Sequence, residues 1–212
     1  MSNNSTWLGR ASKNLLSLSE EKNSFIKAKS EWVYCGLEDT ETVESTCQLC
    51  EQENLRYEYT IRNKFNFNEI IVGSSCIEKF IDEMKATKNT LLDIQGKVVS
   101  KERLKKDKKK YWEKILFKAL DEKFYKNDFQ QGITNKIKDA EAISINQAKY
   151  LRILYNELNE NEKTAFKNLV IINLRKKKFK EQYYELQNSK DLIFINTILS
   201  SQQKKLLIKE TS

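Results

Sequence analysis

Four cysteines, Cys35, Cys47, Cys50 and Cys76, are the residues of this chain best suited to do chemistry, and no other cysteine follows them in 212 residues. Their order is C-x11-C-x2-C-x25-C, and the close pair is Cys47-Gln48-Leu49-Cys50. A C-x-x-C turn supplies two thiolates from one tight knuckle, which suits tetrahedral zinc once two further donors arrive from elsewhere. Cys76 follows an apolar strand-like run and opens a helical pattern, where the positive end of a helix favours a thiolate. The position three residues on, where a second helix ligand could stand, is Lys79, which cannot serve. Cys35 is therefore the candidate fourth ligand of a structural zinc site, with Asp39, Glu38 or a glutamate near the knuckle as weaker substitutes. The blander alternative is four cysteines buried as small hydrophobes. Their crowding into one short stretch, the C-x-x-C pair and a reducing compartment favour metal. A redox C-x-x-C would need a strand-then-helix setting, and here a knuckle precedes a hairpin instead.

These sulfurs must be positioned by the segment Trp32 to Phe80. Glu31 to Gly36 alternates as a strand would, and residues 37–46 have no strong period and predict a loop. Leu55 to Asn63 and Glu69 to Gly73 predict a hairpin with Asn66 and Asn68 in its turn. Ser75 is the expected N-cap of a helix reaching about Lys85 through Ile77, Phe80, Ile81 and Met84. Upstream, Ser17 with Glu20 reads as a capping box that opens a helix from Leu18 to Lys29, an arm packed on the cysteine-bearing segment.

The rest of the chain reads as helical. A long helix is expected from about Ser100 to Lys126, with a loop at Asp128 to Asn135 around Gly132. Ser144 with Gln147 forms a capping box for the next helix, whose apolar face holds Leu151, Leu154 and Leu158. The chain turns near Asn159. The following stripe, Phe166, Leu169, Val170 and Leu174, is read as continuing through Arg175 to Lys180 to Tyr183 and Leu186. A last helix uses Leu192, Ile195, Ile198, Leu199 and Leu206. The expected fold class is α+β, mainly α: residues 1–30 a helical arm, 31–86 a small zinc-stabilised module of β-hairpin and helix, and 87–212 a basic helical bundle.

Trp32, Gly36 and Asp39, then Cys47-x-Leu49-Cys50, Leu55-Arg56-Tyr57-Glu58-Tyr59-Thr60-Ile61-Arg62-Asn63 and Val72-Gly73-Ser74-Ser75-Cys76-Ile77-x-x-Phe80, carry a resemblance. They are similar to a cysteine-containing module of uncharacterised bacteriophage and mobile-element proteins, over roughly Trp32 to Phe80. The resemblance implies a mobile-element origin and a treble-clef-like site, and it supplies no activity. Cys35 is not among that module's regular positions.

Charge separates the two halves. The net charge is +8; residues 1–99 hold 12 basic against 15 acidic side chains, so all of the excess lies beyond them. Such asymmetry bears on partners, here polyanions. Two runs concentrate it: Lys101, Arg103, Lys105, Lys106, Lys108, Lys109 and Lys110, then Arg175, Lys176, Lys177, Lys178 and Lys180. A charge run is commonly a solvated helix face, but Tyr111 and Trp112 border the first run and Phe179, Tyr183 and Tyr184 the second. Cations that replace counterions on phosphates, beside rings able to stack on bases, hold nucleic acid without reading its sequence. The tryptophan and tyrosine also fit the apolar stripes, so the rings are expected mostly inside and the lysines outside.

Absences narrow the function. Without histidine there is no imidazole base, ligand or pH switch. The sequence holds no proline, no P-loop and no Gly-rich dinucleotide turn. No apolar run approaches a membrane span, and the N-terminus lacks a secretory pattern, which predicts a soluble protein of the host bacterial cytoplasm. The leading expectation is a non-enzymatic protein binding the backbone of RNA or DNA, or a host nucleoprotein complex. The rivals are an anti-CRISPR or other anti-defence inhibitor docked on a CRISPR effector complex, and a metal-dependent nuclease built from dispersed carboxylates.

Overall fold

The computed structural model describes residues 2–38, 45–124, 126–187 and 189–208. Among them it is mainly helical, with one small antiparallel sheet. The chain divides after Lys108 into two compact units, each with its own apolar core.

The first unit begins with helix α1 (Ser2–Leu18), which places Trp7, Ala11 and Leu15 at four-residue intervals on one buried face. The expected helix from Leu18 to Lys29 is corrected. The Ser17 hydroxyl donates to the Asn14 carbonyl within the last turn of α1 and caps nothing. Glu31 instead fixes the exit, accepting the backbone N–H of Glu20 and of Glu21 at 2.8 Å each. A separate short helix, α2 (Phe25–Lys29), starts at Ser24, whose side chain accepts from the Lys27 N–H.

Strands β1 (Trp32–Glu38), β2 (Glu58–Asn63) and β3 (Glu69–Val72) form a sheet in the order β1-β2-β3, antiparallel throughout. Trp32, Tyr34, Tyr59, Ile61, Ile70 and Val72 are buried. Between Tyr34 and Gly36 the register slips, so Cys35 is the extra residue of a β-bulge. At the β2–β3 turn the Asn63 side chain accepts from the Phe65 and Asn66 amides, and Asn66 and Asn68 both donate to the Leu18 carbonyl. The hairpin is thereby tied to the end of α1.

Helix α3 (Ser74–Ala86) follows β3 at once. Its N-cap is Gly73 rather than the expected Ser75, and no side chain caps it. A Cβ on Gly73 would lie 2.6 Å from Leu55 Cδ2, so any side chain there would have to displace the end of Leu55. The α3 face Ile77, Phe80, Ile81 and Met84 completes a core shared with α1 and the sheet.

Helix α4 (Lys101–Lys123) starts in the first unit and ends in the second. In the second unit, α5 (Asp128–Lys138) replaces the expected loop. Asn127 caps it, and Ile133 and Ile137, one turn apart, bury its inner face in spite of Gly132. The Ser144–Gln147 capping box opens α6 (Ile145–Glu157) as expected, and an Asn159–Glu162 box opens α7 (Glu160–Leu169). The helix expected to run on through Arg175 does not: the chain turns extended after α7, where Ile172 bridges to Ile143. Helix α8 (Lys177–Tyr184) then starts anew. The last stripe is likewise two helices, α9 (Lys190–Ile198) and α10 (Ser201–Ile208), with Ser200 and Gln203 exchanging side-chain and backbone hydrogen bonds at the break.

Candidate metal centre

The sulfurs of Cys47, Cys50 and Cys76 all lie within 4.8 Å of one another. A zinc–sulfur bond of about 2.3 Å places tetrahedral sulfurs roughly 3.8 Å apart, so the trio is close to the spacing that one ion needs. Cys47 and Cys76 are buried and Cys50 is half-buried.

The knuckle is held by its own backbone. Cys47 N–H donates to the Gln52 carbonyl at 2.8 Å, and Glu51 N–H returns to the Cys47 carbonyl at 2.7 Å. Glu51 takes a left-handed conformation, with φ of 64°, to close this turn. Gln48, the first residue between the cysteines, pairs with the outer edge of β3: its N–H donates to the Ile71 carbonyl at 2.9 Å and its side-chain oxygen accepts the Ile71 N–H at 2.7 Å. Cys76 enters from the first turn of α3, three residues after Gly73.

Helix α1 closes the site. Trp7 Nε1–H donates to Cys76 Sγ at 3.1 Å. One and two turns on, Arg10 reaches the Cys50 carbonyl at 3.5 Å and Asn14 donates to the Leu49 carbonyl at 3.3 Å and to Glu51 Oε1 at 3.2 Å. Glu51, the glutamate nearest the knuckle, is thus engaged with Asn14. Lys79, where a second helix ligand could have stood, holds its ammonium 5.6 Å from the centre of the Trp7 ring.

Without an ion, the three thiols do not ionise alike. The hydrogen bond from Cys76, with the amides of Gly73, Cys50 and Leu49, outweighs burial and brings Cys47 down to about 5. The same bond, together with burial, pushes Cys76 up, and burial raises Cys50. Soft divalent ions displace protons from clustered thiols of this kind when they bind.

The fourth ligand expected from Cys35 is not in this cluster; Cys35 directly follows buried Tyr34 on β1, and neighbouring strand residues point to opposite faces. Asp39 and the Glu38 side chain lie outside the described residues. Among the described residues, the cysteine trio is the one group of three or more potential ligands whose donor atoms converge. Trp7, Asn14 and Gln48 were not foreseen. The four-residue spacing of Trp7, Ala11 and Leu15 was the available signal for the first.

The two basic runs are built differently. In the first, Lys101 pairs with Asp82 at 2.6 Å, and Arg103 with Asp107 at 3.0 Å and Asp93 at 3.4 Å. Asp107 also accepts from the Tyr34 hydroxyl at 3.0 Å, and Lys108 lies 4.2 Å from the Tyr57 ring centre, its pKa lowered by burial. Lys109 pairs with Glu113. Lys105, Lys106 and Lys110 are exposed with no ion pair among the described residues. In the second run, Arg175, Lys176, Lys177 and Lys178 are all exposed, again with no ion pair among the described residues, while Lys180 and Phe179 are half-buried. Tyr183 and Tyr184 are engaged by Asn196 and the Leu207 carbonyl. No described helix is long and apolar enough to cross a membrane.

No protein-family model matches the chain, and comparisons with curated proteins and with solved structures return no match.

Proposed function

We propose that the protein binds the phosphate backbone of nucleic acid through cations displayed on its helices, on a scaffold whose first unit is fixed by zinc held between Cys47, Cys50 and Cys76. The observation that carries the reading is the exposed quartet Arg175 to Lys178. Four consecutive cations, without an ion pair among the described residues, stand at the start of α8, where the positive end of the helix adds to their mutual repulsion. A polyanion relieves both, and release of its counterions supplies the free energy. Lys105, Lys106 and Lys110 add to the exposed positive charge of the chain. An all-sulfur donor set at this spacing favours zinc over the hard cations, which take oxygen. Zinc is four-coordinate in such settings, so the trio leaves one position to be completed by a further donor.

Two measurements test it. Affinity for oligonucleotides falls steeply with rising salt, and replacing Arg175, Lys176, Lys177 and Lys178 together with glutamine weakens it; no binding at low salt overturns the reading. Metal analysis of the purified chain gives one zinc per molecule, and Cys47→Ser abolishes it.

A further inference from the structure

The second unit contains a half-open groove of about 790 Å3 between the end of α4, the first turn of α5 and one side of α6, with Asp191 of α9 at its edge. That size falls within the roughly 300–1,000 Å3 usual for small-ligand sites. Phe129 and Tyr150 sit in it edge to face, 4.8 Å between ring centres, and are 49% and 57% exposed. Two large rings left this open contribute little to the core, whose aromatic cluster is made separately by Tyr155, Phe166 and Phe194.

Lys123, Lys126, Lys149 and Arg152 line the groove with two carboxylates, Glu157 and Asp191. Arg152 pairs with Asp191 at 2.7 Å and Lys123 with Glu162 at 3.1 Å, which leaves Lys126 and Lys149 facing Glu157. Lys126 and Lys149 have no ion pair among the described residues. Residues of the first turns of α5 and α6, Gln130 and Asn146 with Gln147, also border the groove.

From this juxtaposition we infer that the groove takes one unpaired nucleotide of a single strand, its base against Phe129 and Tyr150 and its phosphate beside Lys126 and Lys149. Rings exposed next to unpaired cations are the combination by which single strands are held whatever their sequence. A duplex cannot offer a splayed base, so the site distinguishes single from double strands, which the Arg175–Lys178 surface does not. An acidic amphipathic helix is the competing occupant. The inference rests on the nucleic-acid reading above and assigns it a strand preference.

The test uses the full chain with labelled oligouridylate, oligodeoxythymidylate and a duplex of equal length. Phe129→Ala with Tyr150→Ala weakens binding of the single strands about 10- to 100-fold and leaves duplex binding and the melting temperature unchanged. Lys126→Gln with Lys149→Gln, which leaves the rings in place, also weakens single-strand binding more than duplex binding. The two single-stranded probes distinguish RNA from DNA. If the ring variants bind single strands as the parent does, or if the parent binds only duplex, the groove is not a nucleotide site, although the backbone reading stands. A groove that takes a protein helix gives the first of these results. If the parent binds none of the three probes, the backbone reading falls and this inference with it.

Discussion

The indole N–H of Trp7 points at the sulfur of Cys76, 3.1 Å away across 69 residues of chain. The helix before the sheet is thus wired to the sulfur cluster behind it. Donation to a thiolate sulfur tunes a metal site in the manner of other outer-sphere hydrogen bonds, whose removal typically lowers metal affinity about 10- to 100-fold. Trp7→Phe keeps the buried ring and removes the donor, so zinc affinity measured against a competing chelator is expected to fall by that amount. With zinc held as proposed, its removal from the parent is expected to change Trp7 fluorescence, a signal that Trp7→Phe loses.

Removal of the proposed zinc is expected to act on one core and spare the other. The trio belongs to the unit ending at Lys108, and the cluster around Leu151, Phe166 and Ile195 has no share in it. Hydrogen exchange after metal removal is expected to accelerate at Cys47 to Glu51 and in the first turn of α3, with α6 and α9 retaining their protection. Uniform loss of protection would contradict this.

Gly73 has no room for a methyl group. Gly73→Ala drives its Cβ into Leu55 Cδ2, and because that atom ends a flexible side chain the strain is moderate, about 1 kcal/mol. In a double-mutant cycle by urea unfolding, Leu55→Ala is expected to absorb the clash, so the two changes together cost less than their sum.

Glu31 makes the first unit acid-sensitive. Burial pushes its carboxyl up, but hydrogen bonds from Asn63, Glu21 and Glu20 outweigh that and hold it below the ordinary range. A carboxyl depressed by folding contributes stability above its unfolded value of about 4.3 and loses it as pH falls through the folded value. Glu31→Gln is expected to cost about 1.5–3 kcal/mol at neutral pH, and the difference from the parent should shrink as the medium is acidified below about pH 4.3. Urea midpoints across pH read it directly.

The cations of the first run divide by role. Arg103→Gln unpairs Asp107 and Asp93 and is expected to lower the melting temperature, with little change in nucleic-acid affinity. Lys105→Gln with Lys106→Gln should do the reverse. For the Arg175–Lys178 quartet, each phosphate contact removed should flatten the salt dependence of log K by about 0.7–0.9. Titrations over a salt series separate the two classes.

Spacing made much of this legible. Leu55 to Asn63 and Glu69 to Gly73 predict the hairpin whose strands are Glu58–Asn63 and Glu69–Val72, and Ser144–Gln147 marks a helix start by chemistry that acts over four residues. The three clustered sulfurs were visible because a C-x-x-C pair and a helix-opening cysteine after a hairpin have few other uses. Several misreadings depended on contacts distant in sequence. Ser17–Glu20 has the residues of a capping box, but Glu31, eleven residues away from Glu20, already holds the amides concerned. Gly132 lowers helix propensity by about 1 kcal/mol, and burial of Ile133 and Ile137 overrides it. Whether Cys35 reaches the other sulfurs depends on how β1 packs in the folded unit, which its spacing does not show. Nothing in the spacing of the basic run shows that Asp107 turns inward to Tyr34.

Gln48 has a further consequence. By occupying the Ile71 amide and carbonyl, the knuckle blunts the rim of a three-stranded sheet that would otherwise offer ready pairing to a neighbouring chain. Demetallated protein is therefore expected to become adhesive before it unravels, with intermolecular strand addition starting at β3, so the ion would act as a guard against self-association as well as a brace.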